Sequence, residues 1–174
     1  MQDISQEFGL DKGRFYEKVK RSVDNLVLSG PFVKTIMTRC IHCTRCVRFL
    51  SEVTGSYDLG VLERGLDMEI GSFDLRCLAE VFSGNIIDLC PVGALTSMPY
   101  AFSARPWDLV TVYSVDVFDS LASSIRVDLV GNRVMRVLPV LDEAVNEEWI
   151  TNKIRFFYDL FQPNVCFFQK LSLD

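Results

Sequence analysis

Histidine is nearly absent from this 174-residue sequence, in which His42 is the single example. A Ser-His-Asp or Cys-His catalytic system would have to use that residue, which lies inside a run of cysteines. No apolar run reaches 18 residues, so the sequence predicts no membrane-spanning helix. A basic surplus is also missing, since the formal net charge is −5, and this argues against a nucleic-acid-binding protein.

Charge is distributed unevenly along the chain. Residues 1–48 hold nine of the 18 Lys and Arg residues but only five of the 23 acidic residues. Two interpretations remain open for this basic end. It forms an ordinary solvated face, or it surrounds an anionic cofactor or meets an acidic partner.

Hydrophobic periodicity predicts a mixed architecture. Helical spacing occurs over 12–28, over a short stretch after the cysteine run, over 74–87 with Ser83-Gly84-Asn85 as its end, and over 147–160. Residues 56–73 suit a long loop or a small hairpin. Residues 109–117 and 124–138 alternate as strands, with Gly131-Asn132 as a hairpin turn. We therefore expect an α+β protein.

We expect three parts along the chain. They are an N-terminal helical extension over 1–30, a mostly helical cluster-binding domain over 31–102, and a small β-rich domain with a C-terminal helix over 103–174.

The cysteines are the most informative feature. Cys40, Cys43 and Cys46 follow one another at two-residue gaps, and Cys90 is followed by Pro91. A [4Fe–4S] cluster has four iron corners, and in bacterial ferredoxins each cluster takes three sulfurs from such a run and one from a distant Cys-Pro. In the ferredoxin run a fourth cysteine binds a second cluster. Leu50 occupies that position here, so this run predicts the ligands of one cluster.

Other uses of these residues are less well matched. Zinc sites usually take cysteines in pairs, which fits three evenly spaced cysteines poorly. Disulfides are not expected at this spacing without a secretory signal. Cys77 and Cys166 have no neighbouring cysteine and suit buried apolar positions. His42 suits a position at the surface or just outside the ligand set.

Four stretches resemble one family. They are Thr38–Phe49, Ser83–Ser97, Pro99–Trp107 and Asn146–Ile150. They are similar, in order and spacing, to the large iron–sulfur subunit of the peripheral arm of respiratory complex I. The resemblance spans residues 2 to 160 approximately. It implies one [4Fe–4S] cluster held by Cys40, Cys43, Cys46 and Cys90, with a molybdopterin-oxidoreductase-type fold for the β-rich part.

The sequence departs from that family in several ways. The upstream [2Fe–2S] domain and the cluster with one His and three Cys ligands have no counterpart here, nor has most of the large downstream region. Some bacterial relatives carry an extra cluster in the β-rich part. The matching positions here are Asp116, Asp119, Ser123 and Thr151. Oxygen ligands do not replace soft thiolates, so we predict no cluster there.

The resemblance implies an electron-transfer subunit of NADH:ubiquinone reductase, with no complete active site on this chain. We expect its partners to be other peripheral-arm subunits, including separate chains with the missing domains, and neither nucleic acid nor a direct membrane span. The expected location is the matrix side of the mitochondrial inner membrane, or alternatively the cytoplasmic side of a bacterial membrane. The alternatives in function are a relay subunit of an NAD-linked hydrogenase or formate dehydrogenase, and a zinc-stapled structural module.

Overall fold

Short helices and antiparallel strands make up the structure, a computed structural model that describes residues 2–10, 12, 13, 15, 16, 23, 30–72 and 78–161. The expected mixture of helices and strands is therefore found. Helix α1 covers Gln2–Phe8. Most of the helix predicted over 12–28 lies outside the described residues, as do Cys77 and Cys166.

The first lobe contains the cysteine run and two small sheets. Its elements are β1 (Val33–Thr35), α2 (Arg45–Arg48), β2 (Gly60–Leu62), β3 (Glu69–Gly71), α3 (Asn85–Leu89) and β4 (Leu95–Ser97). Strand β1 pairs antiparallel with β4, and β2 pairs antiparallel with β3. Helix α2 continues as a π-helix over Phe49–Thr54 and ends at Gly55 in the left-handed conformation. The short helix after the cysteines and the hairpin within 56–73 are thus confirmed.

The helix predicted over 74–87 is wrong over 78–84, and only its last residues, 85–87, are helical. Residues 78–84 form turns and irregular backbone, and α3 begins at Asn85, where the sequence suggested an end. Ser83 and Asn85 are each only 1% exposed. Their polar side chains are buried against the second lobe, so tertiary hydrogen bonds replace the expected helix end.

The second lobe is a three-stranded antiparallel sheet with a helix against it. Its elements are β5 (Val110–Val115), β6 (Ser124–Val130), β7 (Arg133–Pro139) and α4 (Asn152–Phe156). The strand order is β5-β6-β7, and the predicted Gly131-Asn132 turn joins β6 to β7. Ile125, Val137, Ile150 and Ile154 form its core with Tyr158. The predicted helix over 147–160 begins later than expected, because Thr151 caps α4 by accepting a hydrogen bond from the Ile154 N–H.

A buried polar network joins the two lobes. Asn152 of α4 accepts a hydrogen bond from the Gly84 N–H at 2.7 Å and donates to the Ser83 hydroxyl at 2.9 Å. Asn85 donates to the Ile150 carbonyl at 2.9 Å, and the Arg155 guanidinium donates to the Asn85 side-chain oxygen at the same distance. These groups are largely buried, and a buried polar group that lacks a hydrogen bond is costly. The network therefore fixes α3 against α4.

Aromatic contacts reinforce this junction. The rings of Phe32 and Phe156 stack with centroids 4.5 Å apart, and those of Phe49 and Trp149 lie 4.6 Å apart. Each pair joins one residue of the first lobe to one of the second.

In the described part of the chain, no helix has the length and apolar character needed to cross a membrane.

Replacing Gly84 should reveal how tightly the lobes are joined. A Cβ atom there would lie 2.6 Å from the Asn152 Oδ1 atom and 2.9 Å from the Arg155 side chain. We expect Gly84→Ala to lower the free energy of unfolding by about 2–3 kcal/mol through overpacking, as measured by chemical denaturation of the full chain. Gly60→Ala is the matched control, because a Cβ at Gly60 meets nothing within 4 Å. Equal effects of the two changes would contradict a closely packed junction.

Candidate metal centre

The cysteine run occupies a loop with unusual backbone geometry. A 3-10 helix over Met37–Arg39 precedes the cysteine run, and α2 begins inside the run, at Arg45. His42 and Thr44 both have positive φ values, 55° and 61°. This left-handed conformation is uncommon for residues other than glycine. These two left-handed residues lie between successive cysteines, and all three cysteines line the same cavity.

The fourth cysteine is positioned by the end of α3. Cys90 is the C-cap of that helix, and its N–H donates to the Ile86 carbonyl at 3.1 Å. Pro91 follows, which disfavours helical backbone at the residue before it. The Cys-Pro sequence thus ends the helix and leaves the thiol facing the loop of the other three.

All four predicted site residues line one cavity. Cys40, Cys43, Cys46 and Cys90 line it together with apolar side chains, and the non-atom space of the cavity, with the open solvent at its mouth, is about 350 Å³. None of the four is in a disulfide. Cys46 is buried and Cys43 is exposed. One side of the cavity therefore opens to solvent, and the opposite side is apolar.

The surroundings of Cys46 oppose ionisation of its thiol. The pKa of Cys46 is raised to about 11, chiefly by burial and also by the nearby sulfurs of Cys40, Cys43 and Cys90. The Val47 backbone N–H lowers it by donating to the sulfur. The His42 N–H also donates to the Cys40 sulfur, at 3.4 Å. Such a set of thiolates needs a cation to balance its charge.

The donor set fits an iron–sulfur cluster. Thiolates are soft ligands suited to iron–sulfur clusters, zinc or copper(I). Among the described residues, no group of three His, Cys, Asp or Glu side chains is placed to hold a single metal ion. Four cysteine side chains line one cavity. Their spacing in the sequence, with three at two-residue gaps and one before a proline, suits a cluster with separate iron corners better than one zinc ion.

Three other residues of the loop have modest roles. His42 is half-buried and contributes its backbone N–H. Arg45 lines the cavity, so one cation of the basic end lies at the site itself. Arg48 is exposed and forms an ion pair with Glu52 at 3.0 Å.

The four oxygen-bearing positions of the second lobe form a hydrogen-bonded chain. The Thr151 hydroxyl donates to the Asp119 carboxylate at 3.2 Å, and the Asp119 N–H donates to the Asp116 carboxylate at 2.8 Å. The Asp116 N–H donates to the Ser123 carbonyl at 2.9 Å. Lys153 adds an ion pair with Asp119 at 3.3 Å. Protein groups thus satisfy one another at these positions.

Sequence reasoning missed several residues that shape the site. Ile70 of β3 lines the cavity from the hairpin, although it lies 24 positions after the last cysteine of the run. Asn85, Asn152 and Arg155 fix the helix that carries Cys90. No local pattern marks these contacts, because most join residues separated by more than 60 positions.

Comparisons with known proteins agree on one family. A family model for the ferredoxin-like domain of NADH-quinone oxidoreductase subunit 3 matches residues 30–96. A second model, for the 4Fe-4S domain of NADH-ubiquinone oxidoreductase NDSU1/NuoG-like proteins, matches residues 109–159. Both models describe parts of the same type of subunit.

Individual relatives cover most of this chain. The NADH-ubiquinone oxidoreductase 75 kDa subunit of Acanthamoeba castellanii is 57% identical over 93% of the chain, and that of Reclinomonas americana is 55% identical over 91%. The iron-sulfur protein 1 of NADH dehydrogenase from Solanum tuberosum, a mitochondrial protein, is 58% identical over 91%. The chain spans 24%, 23% and 21% of the lengths of these three relatives.

The metal-free chain should show a graded reactivity of its thiols. Cys43 is exposed, whereas burial raises the pKa of Cys46 to about 11. Because the thiolate is the nucleophile, we expect iodoacetamide at pH 8 to modify Cys43 first and Cys46 last among the four cysteines of the cavity. Cys46 should react faster as the pH rises towards 11. Peptide mass spectrometry would measure the order, with the denatured chain as control. Equal rates in the folded chain would contradict the buried position of Cys46.

Proposed function

Because the chain belongs to the family of the 75 kDa iron–sulfur subunit of NADH–ubiquinone oxidoreductase and corresponds to one segment of it, we propose that it relays electrons from NADH-reduced flavin towards ubiquinone through one [4Fe–4S] cluster. One observation carries the proposal. Cys40, Cys43, Cys46 and Cys90 line the same cavity, and their spacing is the three-plus-one pattern of a cluster ligand set.

Each part of the site has a defined task in this proposal. The four thiolates hold the cluster, and when bound it would take up and release single electrons. The N–H groups of His42 and Val47 donate to two of the sulfurs. Such donors withdraw charge from the sulfurs and favour the reduced state. The apolar wall formed by Ile70, Val92 and Leu95 limits access of water, which lowers the local dielectric constant.

The proposal includes a single cluster. The second family match, over 109–159, covers a stretch that contains no cysteine. The residues at the relevant positions, Asp116, Asp119, Ser123 and Thr151, bond to one another or to the neighbouring backbone. Their oxygen atoms are hard ligands. We therefore assign the second lobe no cluster of its own.

The proposed activity belongs to an assembly. The chain supplies a relay site, and the oxidation of NADH and the reduction of quinone take place on other subunits. These partners are other subunits of the peripheral arm. Relatives named as mitochondrial support a mitochondrial location, and we place the chain on the matrix side of the inner membrane, in the peripheral arm.

Substitution of Cys90 should separate the two halves of the proposed electron path. We expect Cys90→Ser to reduce NADH:quinone reductase activity of assembled membranes at least about tenfold, because a serine oxygen is a harder ligand than a thiolate. NADH:ferricyanide reductase activity, which draws electrons at the flavin, should remain. Cluster content is measured in parallel by electron paramagnetic resonance and by iron analysis.

The other cysteines provide the control. Cys77→Ser and Cys166→Ser should leave the iron content and both activities unchanged. Loss of the cluster in either control variant would show that the ligand assignment is wrong. Unchanged quinone reduction in Cys90→Ser membranes that lack the cluster signal would place this centre off the electron path. One zinc and no iron in the purified chain would refute the cluster itself.

A further inference from the structure

Phe102 combines exposure with backbone strain. Its side chain is 72% exposed, and its φ is +65°. The left-handed region is unfavourable for a bulky side chain, and little burial compensates for it at this position. The turn that holds Phe102 is hydrogen-bonded, since Ser103 N–H donates to the Tyr100 carbonyl at 3.0 Å. A residue held outward in this way is a candidate for a functional contact.

Three cations are grouped on this ring and on a second exposed ring. The Lys34 ammonium lies 5.1 Å and the Arg39 guanidinium 5.8 Å from the centre of the Phe102 ring. The Arg105 guanidinium lies 5.9 Å from the centre of the Trp107 ring, which is 45% exposed. We call these five residues the cation–aromatic surface.

Within the part of the chain that the structure describes, none of these three cations forms an ion pair with a carboxylate. Ion pairs there include those of Arg48, Arg126, Arg136, Lys153 and Arg155. An aromatic face attracts a cation without neutralising its charge. Lys34, Arg39 and Arg105 therefore keep their positive charge available to a ligand, although the whole chain has a net charge of −5.

The cation–aromatic surface adjoins the metal centre. Arg39 directly precedes Cys40 in the sequence. Arg39, Phe102 and Arg105 line a groove whose wall also includes Cys90. A partner bound to this surface would thus lie beside two of the four proposed cluster ligands.

We propose that the cation–aromatic surface docks an acidic segment of a neighbouring polypeptide in the electron-transfer assembly. This inference rests on the proposed function. Carboxylates of the partner complement the three cations, and its apolar atoms cover Phe102 and Trp107. Cations and exposed aromatic residues are typical of protein interfaces, where arginine, tryptophan and tyrosine carry much of the binding energy. In a symmetric pair of copies this positive surface would face itself, so a second copy offers less charge complementarity.

The test uses the assembled complex in membranes that contain variant chains. We expect Phe102→Gly, and separately the double variant Lys34→Gln/Arg105→Gln, to reduce incorporation of the chain into the NADH dehydrogenase assembly about tenfold. Native gel electrophoresis followed by quantitation of the chain measures incorporation. The deficit of the double variant should shrink as ionic strength rises, because the wild-type attraction is screened.

Two control variants isolate the docking effect. Glu63 is also exposed with a positive φ of 57°, so Glu63→Gly relieves comparable backbone strain at a different surface. Arg48→Gln removes an exposed cation that already pairs with Glu52. Both should be incorporated as well as the wild type. Phe102→Gly should not lower the thermal unfolding midpoint or the iron content of the chain.

The outcomes distinguish this inference from the proposed function. Normal incorporation of Phe102→Gly and of the double variant would overturn the docking proposal and leave the relay function intact. Failure of the wild-type chain to enter any NADH dehydrogenase assembly would refute the proposed function and the docking proposal with it. Dimers of the isolated chain that Phe102→Gly abolishes would assign the surface to a second copy. Binding to anionic lipid vesicles would assign it to a membrane. Either result would overturn the proposal.

Discussion

The burial of Cys46 beside three other sulfurs is the constraint on which the site depends. The thiol of Cys46 resists ionisation, since burial and, to a smaller extent, the three neighbouring sulfurs raise its pKa. A group that must be ionised to bind metal is therefore held where the protein alone disfavours its charge. A bound metal would resolve this conflict, because its positive charge would balance the thiolates. The surrounding fold must keep the four sulfurs together before that balance is reached.

The second lobe contributes to this task at a distance. Cys90 ends α3, and α3 is fixed by Asn85, which bonds to the backbone of Ile150 and to Arg155. Gly84 allows the close approach of Asn152, and Arg155 also forms an ion pair with Asp88 at 2.7 Å. A lobe without any cysteine among its strands thus helps to hold the fourth cysteine of the proposed site. The two lobes act as one unit around the site.

Left-handed backbone in and beside the site occurs at two kinds of place with different consequences. In the cysteine loop, His42 and Thr44 adopt it between the cysteines, and the His42 N–H donates to the Cys40 sulfur. At Phe102 it points a large ring outward beside Lys34 and Arg39. In both cases local strain is tolerated because the surrounding hydrogen bonds fix the chain. The first case shapes the inside of the site, and the second shapes a surface next to it.

Local patterns in the sequence determined the candidate ligands and the β-rich part. The spacing of Cys40, Cys43 and Cys46 is a local property, and the alternation around Gly131-Asn132 reports directly on which side chains are buried. The helix expected over 74–87 was wrong over 78–84 because Ser83 and Asn85 are bonded to residues more than 60 positions away. Only the tertiary structure decided which side chains line the cavity, how α4 holds α3, and why Phe102 stands exposed between two cations. Those features come from contacts between distant segments, and local periodicity contains no information about such contacts.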